Sequence, residues 1–306
     1  MIQFTRASRW YGEVIGLNDI SCEIGPGVTA LLGQNGAGKS TMLKLITGQM
    51  RPTTGEVRVF GETPFANPNV YARMGYCPDV DSFPEHLSGR EFVRRMGLLS
   101  GVPKQEIKDR AEEVLTLVGM AERADKPVKG YSKGMRQRIK LAQAIIHDPD
   151  FILLDEPLNG LDPIGRREFM GVLQQLADRG KGVLVSSHIL FEVEQMTRSI
   201  LLLHRGRLLA AGDLSNIRAL IDSHPHRIRM ESRDPRALAA KCAGFGHVLS
   251  VKVDEALDEV EITTRKPDEF YDAVMGMVLD DGLTITAMDS PDNNLESVYG
   301  YLTEGR

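Results

Sequence analysis

The segment Gly33-Gln34-Asn35-Gly36-Ala37-Gly38-Lys39-Ser40 constrains this chain more than any other. Its spacing, G-x-x-x-x-G-K-S, stands between an apolar run, Val28 to Leu32, and a helical pattern from Ser40 to Met50. A strand that turns through glycines into a helix aims backbone N–H groups and the positive end of a helix dipole at one point, a geometry that holds phosphate. Glycine permits the close approach, Lys39 reaches the β- and γ-phosphates, and Ser40 offers its hydroxyl to Mg²⁺. A glycine-rich turn that binds nothing is the plain alternative, and the strand-loop-helix context disfavours it.

At 306 residues the chain is long enough for one large domain or two. Its formal net charge of −5 is unevenly spread. Residues 1–212 carry 27 basic and 24 acidic side chains (+3), and residues 213–306 carry 10 and 18 (−8). Neither part has the basic excess of a phosphate-backbone binder, so no nucleic-acid partner is expected. Cys22, Cys77 and Cys242 lie far apart in sequence and form no metal-ligand pair, which suits free thiols in a reducing compartment. No apolar run approaches the roughly eighteen residues of a membrane span, and Met1 to Arg6 lacks the apolar core of a signal peptide. A cytoplasmic protein is expected.

Ahead of the glycine loop, Ile2 to Thr5 and Leu17 to Ile24 read as strands, with turns at Tyr11-Gly12 and Gly25-Pro26-Gly27. They suggest a small antiparallel layer. Tyr11, beside Trp10, is placed either to stack on a nucleotide base or to pack under the first hairpin. After the loop helix, Gly55 to Phe60 is a strand, and Val70 to Cys77 leads to Pro78-Asp79. Ser88-Gly89-Arg90-Glu91 is a capping box opening a helix to about Ser100, and Pro103 to Val118 is a second helix. Residues 79–148 therefore read as an inserted helical subdomain.

Tyr131-Ser132-Lys133-Gly134-Met135-Arg136-Gln137-Arg138 enters a helix that runs to Ile146. It is either a second anion site or an ordinary N-cap before a basic helix. Phe151 to Leu154 is a continuous apolar run of the kind found in buried parallel strands, and it ends in Asp155-Glu156. One carboxylate can hold Mg²⁺ through water and the other can orient an attacking water. Asn159 to Pro163 is a tight turn before a helix over Ile164 to Arg179, and the apolar strand Gly182 to Ser187 ends at His188. Parallel α/β sheets open their ligand crevice at such strand ends.

Taken together, these motifs and their order resemble the ATP-binding cassette family over residues 1 to about 215. The resemblance implies ATP and Mg²⁺ as ligands and gives each motif a role. Tyr11 would stack adenine, and Gly33 to Thr41, including Asn35, Gly36, Ala37, Gly38, Lys39 and Ser40, would bind the phosphates and the metal. Asp155 would assist the metal, Glu156 would be the general base, and His188 would contact the γ-phosphate. Ser132 and Gly134 would close on nucleotide held by a second copy, and Asp162 would face that partner subunit. The form Tyr-Ser-Lys-Gly-Met-Arg-Gln-Arg is similar to cassettes serving ABC-2 type exporters. Asp79 stands where most of the family has a metal-touching glutamine, a departure that bears on metal contact and on sensing of the membrane partner.

The resemblance further implies a cassette working as a homodimer or heterodimer with a separate ABC-2 type permease, peripheral on the cytoplasmic face of the membrane. The helix Glu91 to Leu99, apolar and basic, would border a groove for the partner's cytoplasmic helix. A soluble cassette ATPase acting on ribosomes or DNA is the rival reading, disfavoured by the single cassette and by the lack of a coiled-coil or zinc insertion between Lys39 and Asp155.

The expected fold is an α/β P-loop NTPase cassette over residues 1–216, with a mostly parallel sheet, an antiparallel β layer and the helical subdomain. Over 217–306 the order is strand Arg227 to Ser232, helix Pro235 to Ala243, strands Val248 to Val253 and Glu259 to Thr264, helix Pro267 to Leu279 and strand Leu283 to Met288. A short helix over Leu295 to Leu302 ends the pattern. This βαββαβ order is ferredoxin-like and suggests an accessory domain for subunit contact or regulation.

Overall fold

The computed structural model describes residues 1–213, 217, 225–281, 284–291, 297, 299 and 300. The chain divides into two compact units, Met1–Asp213 and Leu214–Arg306.

The first unit is built on a six-stranded sheet of β3 (Gly27–Leu32), β5 (Met74–Cys77), β6 (Phe151–Asp155), β7 (Gly182–Ser187), β8 (Ser199–His204) and β9 (Arg207–Asp213), ordered β5-β6-β7-β3-β8-β9. Every pair is parallel except β8 with β9. The period-two alternation of strands decides what each face covers. Ile152, Leu154, Val183 and Val185 pack with Phe169 and Leu173 of the helix Pro163–Asp178 on one side. Phe151, Leu153 and Leu184 pack on the other side with Met42, Leu43 and Ile46 of α1 (Lys39–Ile46). Both faces are therefore dry, as the unbroken apolar runs require.

α1 is sandwiched, because its far side meets Phe4, Leu17 and Ile20 of an antiparallel sheet ordered β2-β1-β4. These strands are β1 (Ile2–Tyr11), β2 (Val14–Ile24) and β4 (Thr54–Val59). The expected antiparallel layer is present, with its first two strands longer than their apolar stretches and with Thr54–Val59 as third member. Val70 to Cys77 is a short helix, Pro68–Tyr71, followed by β5. The apolar run Ile200 to Leu203, followed by the turn at Arg205-Gly206, forms a hairpin that the sequence reading did not assign.

The helical subdomain holds α3 (Gly89–Leu99), α4 (Ile107–Leu117) and α5 (Lys133–Ile145) around Phe92, Val93, Val114, Leu115 and Ile139. Ser88 caps α3 by accepting the N–H of Glu91 at 3.2 Å. The Glu91 carboxylate pairs instead with Arg95, one turn on. Arg94 is drawn to Glu112 on α4 at 3.4 Å, so both arginines of the expected partner-facing helix are engaged within the subdomain, while Leu98 and Leu99 are exposed.

The second unit is a four-stranded antiparallel sheet of β10 (His226–Ser232), β11 (Val248–Asp254), β12 (Glu259–Thr264) and β13 (Ile285–Asp289), ordered β11-β12-β10-β13. With helices Pro235–Cys242 and Pro267–Asp281, the chain order is βαββαβ, and β12 lies between β10 and β11 in a split βαβ arrangement. Ile228, Met230, Val260 and Ile262 face Leu238, Phe270 and Val274. The opposite face carries charges that pair across strands, Arg227 with Glu261 and Arg229 with Asp289 at 3.0 Å. The helix expected over Leu295 to Leu302 lies largely outside the described residues, and the expected strand start at Leu283 lies outside them too.

Candidate nucleotide site

β3 ends at Leu32 and the chain re-enters helix at Lys39, with Gly38 as N-cap at φ 110°. A Cβ at Gly38 would stand 2.6 Å from the Gly16 carbonyl oxygen and 2.8 Å from Leu17. Only glycine therefore lets the loop close on β2. Met42 N–H bonds the Gly38 carbonyl at 2.9 Å and so completes the first turn, leaving the amides ahead of it as the anion-binding end of α1. Lys39 is buried, and its Nζ donates to the Gly33 carbonyl at 2.6 Å.

A cleft of about 390 Å³ opens over this loop. Tyr11, Asn35, Gly36, Gly38, Lys39, Ser40, Thr41, Asp79, Asp155 and Glu156 line it. Ala37 lies beneath the loop in the core. Tyr11 and Trp10 are each 42% exposed, and of the two it is Tyr11 that lines the cleft. The Tyr11 hydroxyl lies 3.4 Å from Thr41 Oγ1 and 3.2 Å from Met50 Sδ, while Arg9 sits 5.2 Å from the ring centroid.

The acidic strand end is held by a residue the sequence reading passed over. Parallel register places Ser186 of β7 opposite Asp155. Its hydroxyl donates to Asp155 Oδ1 at 2.5 Å and accepts the N–H of Glu156 at 2.9 Å. Glu156 has a left-handed backbone, φ 49°, which costs a non-glycine residue on the order of 1 kcal/mol or more and has to be held by its surroundings. The turn points its carboxylate back over the loop, where Oε1 lies 3.4 Å from Lys39 Nζ and Oε2 accepts from His188 Nδ1 at 2.9 Å. The burial of Asp155, with the charges of Glu156 and Asp79 nearby, raises its pKa against the opposing Ser186 hydrogen bond.

Gly16 is a second omission. A Cβ there would stand 2.7 Å from the Tyr11 ring and 3.1 Å from Thr41 Oγ1, so its bareness is what seats both. Two serines ending an apolar strand, and a glycine two residues into β2, were the available signals.

Ser132, Gly134 and Asp162 do not line this cleft. Ser132 is exposed and caps α5, accepting the Met135 N–H at 3.3 Å. Asp162 caps the helix Pro163–Asp178 through the Gly165 N–H at 3.1 Å. Gly134 packs toward Leu161 of the intervening turn.

Loop, helix and acidic strand end together define a P-loop nucleotide-binding cassette. The family model described as ABC transporter matches residues 17–159. Bacitracin transport ATP-binding protein BcrA of Enterococcus faecalis is 30% identical over 100% of this chain and 97% of its own length. An uncharacterized ABC transporter ATP-binding protein of Synechocystis sp. is 38% identical over 69% of this chain, which spans 61% of that relative's length. A solved structure of an ATP binding subunit of an ABC transporter superposes with a TM-score of 0.66 at 29% identity, covering 72% of this chain and 92% of the other. The chain belongs to the ABC transporter ATP-binding protein family.

Proposed function

We propose that this chain is the ATP-binding and hydrolysing subunit of an ABC-2 type exporter, paired with a second cassette and a separate membrane permease. The observation that carries the reading is the convergence on one carboxylate: Glu156 meets Lys39 of the phosphate loop and His188, the residue after β7, while Ser186 holds the backbone from which it projects. Lys39 would hold the β- and γ-phosphates, and Tyr11 would stack the base. Glu156 would accept the proton of the attacking water, with His188 fixing the orientation of its carboxylate.

The donors at the cleft fit Mg²⁺. The Ser40 hydroxyl and the carboxylates of Asp155 and Asp79 are hard oxygens, and a cation would offset the burial and the neighbouring charges that raise the Asp155 pKa. The metal would supply charge neutralisation at the transferring phosphoryl group.

Pairing of cassettes is supported by the position of Ser132 and Gly134 outside their own chain's cleft, on an exposed helix start. Among the described residues no helix is long and apolar enough to cross a membrane. We place the chain on the cytoplasmic face as a peripheral subunit, and the name of the Enterococcus relative, a bacitracin transport ATP-binding protein, supports transport as the task.

The test is co-expression with and without the permease. The chain should sediment with membranes only when the permease is present, and its ATPase rate should then respond to the permease. Sedimentation with ribosomes or DNA in the absence of any permease would overturn the exporter reading.

A further inference from the structure

A lysine ammonium shut away from water needs an acceptor for each of its three N–H bonds. Lys140, on α5, is 2% exposed. Its Nζ donates to the carbonyl oxygens of Pro78 at 2.9 Å and Asp79 at 2.8 Å, and it pairs with Asp81 Oδ1 at 3.0 Å. All three N–H bonds are thereby used, and all three acceptors belong to the turn that leaves the end of β5.

That turn carries Asp79 to the cleft, beside Asp155 and Glu156. The helix at the other end of the lysine begins at Ser132, eight residues earlier, which is about 12 Å along the helix axis. Arg136, between them, adds looser contacts to Asp81 at 3.8 Å and Glu85 at 3.5 Å. Moving the turn away from α5 would strip a buried cation of every acceptor in a place where water does not replace them. Turn and helix are obliged to shift as one piece.

We propose that Lys140 is a positioning residue: it fixes the backbone from which Asp79 faces the nucleotide cleft, and it couples Asp79 to the helix that presents Ser132 and Gly134. The proposal rests on the reading of the cleft as the site of ATP hydrolysis. It assigns to a buried cation the task of reporting an event at Asp79 to the surface offered to the second cassette.

The experiment is a double-mutant cycle on the isolated full chain, using Lys140→Met, Asp79→Ala and the double variant. Lys140→Met should lower kcat about tenfold or more, the scale on which misplaced catalytic groups act, with Mg-ADP affinity within about twofold of wild type. The double variant should be no slower than the slower single, because both changes remove the same contribution. Losses that multiply, an unchanged kcat, or Mg-ADP affinity falling in step with kcat would overturn the proposal.

Should Lys140→Met fail to fold, Asp81→Asn weakens the same tie and leaves both carbonyls in place. It should give a smaller loss with the same non-additivity toward Asp79→Ala, and independence there would overturn the proposal. Amide hydrogen exchange gives a reading that needs no turnover. Weakening the tie should raise exchange in residues 79–85 and at the start of α5 together, and a rise in one alone would count against coupling. Since the cycle uses the isolated chain, failure to couple to a permease would sink the exporter reading and leave this result standing.

Discussion

Lys39 Nζ lies 3.4 Å from Glu156 Oε1, so the cation of the phosphate loop and the carboxylate at the end of β6 neutralise each other across the cleft. Both side chains are largely buried, which makes this pair less screened than any on the surface. A phosphate entering the loop has to take over the lysine, and that frees Glu156 to turn toward water. The two residues proposed to act together on ATP are thus already in contact.

Glu156→Gln tests this arrangement. The amide keeps the shape and the contact with His188 but loses the basic oxygen and the attraction for Lys39. Turnover should fall by about two to four orders of magnitude, the range for loss of a general base. Equilibrium binding of ATP should stay equal to wild type or become tighter. Phosphate release and nucleotide titration on the same preparation check both, and near-normal turnover would remove Glu156 from the role of base.

Ser186→Ala removes the hydroxyl that joins Asp155 to the Glu156 backbone. Without it, the left-handed turn at Glu156 keeps the Asn159 N–H bond to its carbonyl and the side-chain contacts with Lys39 and His188, but loses the tie of its own N–H to Asp155. A fall in kcat of about tenfold is expected, with ATP affinity within about twofold, because the phosphate loop is untouched. Steady-state kinetics and a nucleotide titration give the comparison. Equal loss in both quantities would mean that Ser186 supports the strand and not the catalytic turn.

The loop and the acidic strand were legible in the sequence because their chemistry is local: eight consecutive residues supply the phosphate cradle, and one run ends in both carboxylates. Ser186 and Gly16 were not, since each matters only through a neighbour brought by tertiary structure, Ser186 by parallel register with Asp155 and Gly16 by the Tyr11 ring. Lys140 lies within the helix that runs to Ile146, and its sequence position alone does not distinguish it. Its burial depends on the turn after β5, sixty residues earlier in the chain, and no periodicity carries that information. The Ile200 to Leu203 strand was visible as an apolar run, but without a site motif nothing drew attention to it.

Tyr11→Ala should weaken ATP binding by roughly five- to 150-fold, from the 1–3 kcal/mol typical of base stacking on an aromatic ring. Tyr11→Phe keeps the ring and loses only the long contacts to Thr41 and Met50, and it should bind within about twofold of wild type. GTP should suffer from Tyr11→Ala about as much as ATP, because stacking accepts either base. Fluorescence titration with both nucleotides checks this. An unaffected affinity would assign the ring to the hairpin alone.

Asp155 supplies a pH test with a definite sign. Its pKa is raised in the folded chain, chiefly by burial, so the folded state binds its proton more readily than the unfolded chain does. Stability from this group is present below the unfolded value of about 3.9 and is lost as pH rises toward the higher folded value. At pH 7 the ionised group therefore costs stability in the metal-free protein. Asp155→Asn should raise Tm at pH 7, with the gain shrinking near pH 4, while it abolishes Mg²⁺-dependent turnover. Thermal melts at the two pH values, without metal, decide the matter, and a lower Tm at pH 7 would contradict the assignment.

Ser132 and Gly134 stand on an exposed helix start outside the cleft of their own chain. If each cleft is finished by the signature of the other cassette, inheritance at this locus follows an unusual logic. One allele damaged only at Lys39 and another damaged only at Gly134 would each produce inert pairs. Expressed together, they would form mixed pairs in which both lesions fall on one cleft and the other cleft is whole, so two dead alleles would restore each other.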